Sequence, residues 1–190
     1  MATEDPVSEA VARKLISVVA ADVEITVALG GRGSTYLRSK VNDLNRTAQT
    51  IPVFLLIDLD RQFSCARQLL DNLVGRAQAP HFIIRVAVVE VESWILADRS
   101  NLPDFLGVAA NRVPMDTDVI SDPKKFLVNL ARRSRKNIRH DLVPSSGSLT
   151  EVGPAYNPRM VEFVSQKWDP LLAQNYSESL RRAVRYFHAR

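Results

Sequence analysis

Asp58 and Asp60 stand at alternate positions directly behind the apolar run Val53-Phe-Leu-Leu-Ile57. Side chains two apart on a strand share a face, so these carboxylates can converge on one cation. Either alone could do no more than cap the helix that follows. Together they repel at close range unless a cation or a proton sits between them. Glu90 and Glu92 repeat the spacing behind a second apolar run, and Glu4 and Asp5 precede the first helical pattern. Each pair has a plain alternative, since acids are stabilised near helix N-termini. Acids at three such junctions make a stronger pattern. If the strands are neighbours, up to six carboxylates gather at one sheet edge, and Mg²⁺ or Mn²⁺ is the expected counter-charge.

The elements that must position these acids follow from hydrophobic spacing. Val53 to Ile57 is too short for a typical helix and rich in β-formers, which predicts a buried strand. Parallel sheets bind ligands outside the carboxyl ends of their strands, where Asp58 and Asp60 fall. A second strand is expected over 82–90. Pro6 opens a helical pattern over 6–20, and a strand over 24–29 runs into the turn Gly30-Gly31-Arg32-Gly33. Ser34 can cap a helix over 35–46 with Tyr36, Leu37, Val41 and Leu44 inward, and 61–74 has helical spacing again. Strand and helix thus alternate through residues 1–98, the pattern of an α/β core with a mostly parallel sheet flanked by helices. Residues 99–190 offer short helices near 102–106, 123–133, 158–166, 170–175 and 178–187, an irregular loop over 142–158, and no clear strand. They read as a C-terminal helical region packed on the core.

Composition narrows the class. The chain of 190 residues is 46% hydrophobic and 24% charged, enough for one good core. No apolar run approaches the roughly 20 residues of a membrane span, and the N-terminus lacks the layout of a signal peptide. A cytoplasmic protein without a membrane partner is expected. Cys65 is the single cysteine, which excludes an intrachain disulfide and a cysteine-rich zinc site, and it reads as a small core residue. His81, His140 and His188 lack ligand spacing, and Ser64 and Ser93 have no evident base. Trp94 and Trp168 read as packing anchors. The net charge of +4 hides a cluster: Lys124, Lys125, Arg132, Arg133, Arg135, Lys136 and Arg139 follow one another without an acid. Such a cluster suits a phosphate backbone or a solvated helix face. The Gly-rich turn could present N–H groups to a phosphate, with Arg32 and Lys40 as candidate contacts, but it lacks the Gly-Lys-Ser/Thr ending of a nucleotide P-loop.

Several of these motifs together resemble a known family. Glu4 before the first helix, the Gly-rich turn, Ile57-Asp58-Leu59-Asp60, and Val89-Glu90-Val91-Glu92-Ser93-Trp94-Ile95-Leu96-Ala97-Asp98 are similar to the Toprim-like proteins of the DUF4276 family, relatives of the nuclease domain of OLD-family endonucleases. Asp122-Pro123-Lys124-Lys125 and Ser177-Glu178-Ser179-Leu180-Arg181-Arg182 fit the same likeness. The resemblance implies a Toprim-like, Rossmann-like sheet and a Mg²⁺-dependent nuclease or nuclease-like subunit cleaving nucleic-acid phosphodiesters. By it, Glu4 is general base or metal ligand and Asp58 and Asp60 bind the metal. Glu90 or Glu92 corresponds to the acids that hold a second ion, about 4 Å from the first in two-metal sites. Arg32, Lys40, Lys124, Lys125, Arg132 and Arg133 would hold the nucleic acid, DNA first. The resemblance also allows a separate ATPase partner in a defence-type system, and a homo-oligomer. In the family pattern a whole strand precedes the first acid, where here only Met1-Ala2-Thr3 precede Glu4. The competing expectation is a non-catalytic nucleic-acid-binding or adaptor subunit with a degenerate acidic site, and the position of Glu4 relative to Asp58 separates the two. A phosphoacceptor receiver-like domain fits less well, since no matching lysine follows on a final strand.

Overall fold

Hydrogen bonding between two apolar runs builds the centre of the protein. The computed structural model describes residues 1–59, 63–75 and 77–188. In chain order its elements are α1 (Pro6–Val19), α2 (Gly33–Thr47), β1 (Val53–Asp58), α3 (Ala66–Leu73), β2 (Phe82–Ala87), α4 (Val91–Leu96), α5 (Asn101–Leu106), α6 (Pro123–Ala131), α7 (Lys136–Leu142), α8 (Tyr156–Gln166), α9 (Pro170–Ala173) and α10 (Glu178–His188). β1 and β2 pair in parallel, Val53 opposite Phe82 and Asp58 opposite Ala87. A stub of chain extends this ladder. Ala2 bridges Leu55 on one side and Leu29 on the other, both in parallel. The Ala2 N–H donates to Phe54 O (2.8 Å), and the Leu56 N–H donates back to Ala2 O (3.1 Å). The Leu29 and Thr3 N–H groups donate to Met1 O (2.9 Å) and Leu29 O (3.0 Å). Across the sheet the order is therefore Leu29, Ala2, β1, β2.

The faces of β1 separate with period two. Val53, Leu55 and Ile57 pack with Leu37 and Val41 of α2, Leu69 of α3, and Phe82, Ile84 and Val86 of β2. Phe54 and Leu56 face the other layer, a cluster running from Val11 and Leu15 of α1 through Trp94 of α4 to Phe163 of α8 and Val184 of α10. Trp94 and Trp168 are its buried anchors: Trp168 Nε1–H donates to Trp94 O (3.0 Å) and Trp94 Nε1–H to Ser179 Oγ (2.7 Å). Residues beyond 98 thus close one face of the sheet around a shared core. Aspartate before proline starts three of the helices. Asp5, Asp122 and Asp169 each accept a first-turn N–H, with proline in the first turn.

Several sequence expectations need correction. The 24–29 stretch makes a bridge only at Leu29, and Val23 and Val27 are exposed, so no packing extends a ladder there. Arg32, not Ser34, holds the cap position of α2, with no side-chain cap bond. The third helix starts at Ala66, and the expected start near 61 lies outside the described residues. Cys65 precedes it exposed rather than in the core. β2 ends at Ala87, three residues before the expected end at Glu90. α7 was not expected, since only Ile138 and Leu142 anchor it.

Candidate functional site

The carboxyl edge of the sheet gathers the acids. Relative to chain order the sheet reads second, first, third, fourth, so the order reverses between the Ala2 stub and β1, the crevice where open α/β sheets bind ligands. Glu4 follows the stub and Asp58 ends β1. The Asp58 N–H donates to Glu4 Oε1 (3.3 Å), and Asp58 Oδ1 accepts the Val91 N–H at the start of α4 (2.9 Å). Glu4 also turns the chain: its carbonyl accepts the Gly33 N–H where α2 begins (3.0 Å). Glu4, Asp58, Glu90, Asp122 and Lys124 line a cleft of about 480 Å³, with Ser34 and Arg38 of α2 in the same wall.

Glu90 and Glu92 are positioned by a helix rather than by a strand. Glu90 occupies the N-cap of α4, and its Oε2 accepts the Lys124 N–H (3.2 Å). Glu92, in the first turn of α4, is 1% exposed. Its Oε1 accepts the Tyr156 hydroxyl (3.1 Å) and lies 3.4 Å from Lys124 Nζ. Glu92 Oε2 is buried with no hydrogen-bond partner among the described residues. Asp5 and Asp122 are engaged as helix caps.

Electrostatics follow from this packing. Burial pushes Asp58 well above the usual carboxylate range, and Glu92, Glu4, Asp5 and Glu90 add to it. Burial also raises Glu92, to about 7, against the opposing pull of Lys124. Burial disfavours the Lys124 ammonium, yet Glu92, Glu90, Asp5 and Asp58 together hold it above an ordinary lysine. The partially exposed lysine is therefore the fixed charge of the pair, and Glu92 is the group that titrates. Burial and Glu92 keep the Tyr156 phenol protonated and donating. Lys124 and protonation thus relieve part of the crowding for which the sequence makes a divalent ion the expected counter-charge.

The arrangement brings only part of the expected metal set together. Asp60 lies outside the described residues. Among the described residues, no group of three or more His, Cys, Asp or Glu side chains could hold a metal ion. Glu4, Asp58 and Glu90 do line one cleft with carboxylates, the donor type of a hard divalent cation, whereas Glu92, with its unpartnered buried oxygen, is not in that wall.

The basic candidates separate. Lys124 sits among the acids. Lys125 and Arg132 are exposed and line an adjoining cleft of about 280 Å³. Arg133 is exposed but lines neither cleft. Arg32 lies 5.0 Å over the Tyr36 ring, and Lys40 lies 5.8 Å over the same ring and 3.9 Å from Asp43, and neither lines the acid cleft. Arg38 replaces them there. Its signal was its place four residues after Ser34, on the same helix face. Glu151 reaches the site from a distant loop and Tyr156 from the start of α8, and neither left a periodic signal.

The fold and the site define an α/β protein with an acidic cleft at the carboxyl edge of a parallel sheet. No helix of the described residues is long and apolar enough to cross a membrane. No family model, no curated protein and no solved structure matches this chain.

Proposed function

We propose that this chain is a Toprim-like, Mg²⁺-dependent nuclease or nuclease-like subunit acting on nucleic-acid phosphodiesters, with Mn²⁺ as a substitute ion. The observation that carries this reading is the placement of Glu4 beside Asp58 at the point where strand order reverses. Glu4 and Asp58, with Asp60, would hold the ion, and Glu90 borders the same cleft. A bound divalent ion supplies charge stabilisation to a phosphodiester under attack. Glu4 is then the group positioned to take a proton from the attacking water, and Arg38 and Ser34 stand where they can orient the phosphate. A separate ATPase partner and a defence-type role belong to this proposal.

The second reading, a nucleic-acid-binding or adaptor subunit without cleavage, draws support from Lys124, whose ammonium already neutralises part of the acid cluster. Cleavage of a fluorescent DNA or RNA duplex in Mn²⁺ tests the choice. The nuclease reading expects turnover that falls at least a hundredfold in both Glu4→Gln and Asp58→Asn. Turnover unchanged in both variants overturns it.

A further inference from the structure

The acid cleft and the adjoining basic cleft share Asp122, Lys124 and Glu151 in their walls, so they form one groove. Beyond Lys124 the groove follows one face of α6. Arg132, the residue that caps the end of α6, shares the groove wall with Lys125, and Arg133, one residue further in the turn, does not line it. Asn129 falls between Lys125 and Arg132 on that face and is also in the wall. Lys125 and Arg132 are exposed, and some 10 Å of helix separates them.

We infer that a nucleic-acid strand leaves the acid edge along this face of α6, its phosphates held by Lys125 and Arg132 and not by Arg133, Arg139, Arg32 or Lys40. The inference deepens the proposed function and rests on a phosphodiester occupying the acid cleft. Charge and continuity select the ligand: the groove passes from carboxylates to exposed cations, which suits a chain carrying more than one phosphate. Lys124 does not serve as an exit contact, because Glu92 and Glu90 engage it. Glu151 stands in both walls with the sign of the phosphate itself. It therefore opposes strand binding, and removing its charge strengthens it.

The test measures anisotropy of a fluorescein-labelled 20-nucleotide single strand and of its duplex, in EDTA, across a salt series. The variants are Lys125→Ala/Arg132→Ala and, as a control of equal charge change, Arg133→Ala/Arg139→Ala. All four side chains are exposed, and urea melts check folding. The first double variant is expected to bind about tenfold more weakly, with the log–log salt slope reduced by about 2. The control stays within about twofold of wild type, and Glu151→Gln binds about two- to threefold more tightly. Equal weakening in both double variants overturns the track, as does a wild type that binds neither oligonucleotide at low salt. Cleavage is scored separately in Mn²⁺. A wild type that cleaves, with Lys125→Ala/Arg132→Ala binding and cleaving equally well, removes the track and leaves the nuclease reading. Binding that depends on Lys125 and Arg132 without any cleavage keeps the track and removes the nuclease reading.

Discussion

At the carboxyl edge of the sheet the walls are Glu4, Asp58, Glu90 and Lys124. At the opposite edge the same chain segments meet Ile16, Ile51, Phe54, Ile83 and Phe187 around an apolar groove of about 620 Å³. Apart from Arg85 in β2 and the terminal Asp58 of β1 the strands between are apolar, so neither edge inherits its character from their interiors. Acids enter at helix starts: Asp5, Glu90 and Asp122 stand at the N-termini of α1, α4 and α6. The other edge receives the C-terminal ends of α1, α2 and α10, through Val19, Thr47 and Phe187. Helix N-termini favour negative charge. Parallel connection thus brings the helix-start carboxylates to one edge, while the other is mostly apolar, with Asp22 and Glu24 in its wall.

Substitutions can break this contrast between silent strands and charged junctions. Leu56→Ala, in a fully buried position of β1, is expected to cost about 3 kcal/mol in urea unfolding and to leave Mn²⁺ affinity of the folded protein unchanged. A large change in affinity would show that the strand does more than support the edge. Lys124→Met removes the cation facing Glu92 and Glu90. It should destabilise the metal-free protein by about 2–3 kcal/mol at pH 8, below the range for a fully buried pair because part of Lys124 meets solvent. At pH 5.5 the loss should be less than half as large.

The pH profile sharpens the same point. Glu92, pushed up to about 7 by burial, binds its proton more tightly folded than unfolded. Its contribution to stability is fully present below the ordinary glutamate pKa and is lost as pH rises through about 7. Burial of Asp58 acts in the same direction. Metal-free protein should therefore be roughly 2 kcal/mol more stable at pH 5 than at pH 8, and Glu92→Gln should flatten that slope. A profile rising with pH would place Glu92 ionised in the fold. At the apolar edge Val27→Lys, on an exposed side chain, should change stability by less than about 0.5 kcal/mol and leave the pH profile alone.

Much of the acid edge was legible because its signals are local. The run Val53 to Ile57 demands burial, so Asp58 had to stand at a strand end, and Asp-Pro pairs announce helix starts. The Glu24 to Leu29 stretch misled because β-propensity reports fitness for a half-buried surface, and nothing packs over Val23 and Val27. Glu90 and Glu92 copied the spacing of Asp58 and Asp60, yet a helix start turns one to the Lys124 backbone and the other into the core. The Lys124–Glu92 pair was invisible because its partners are joined only by the packing of α4 against α6. Lys124 read as one cation in a basic run, and the run itself proves to contain residues in three different settings.

The most direct test of the acid edge is Mn²⁺ binding by calorimetry, comparing wild type with a folded Asp58→Asn/Asp60→Asn variant. The account predicts binding in wild type that disappears in the variant. Equal binding in the two proteins, or none by wild type at millimolar Mn²⁺, would contradict it.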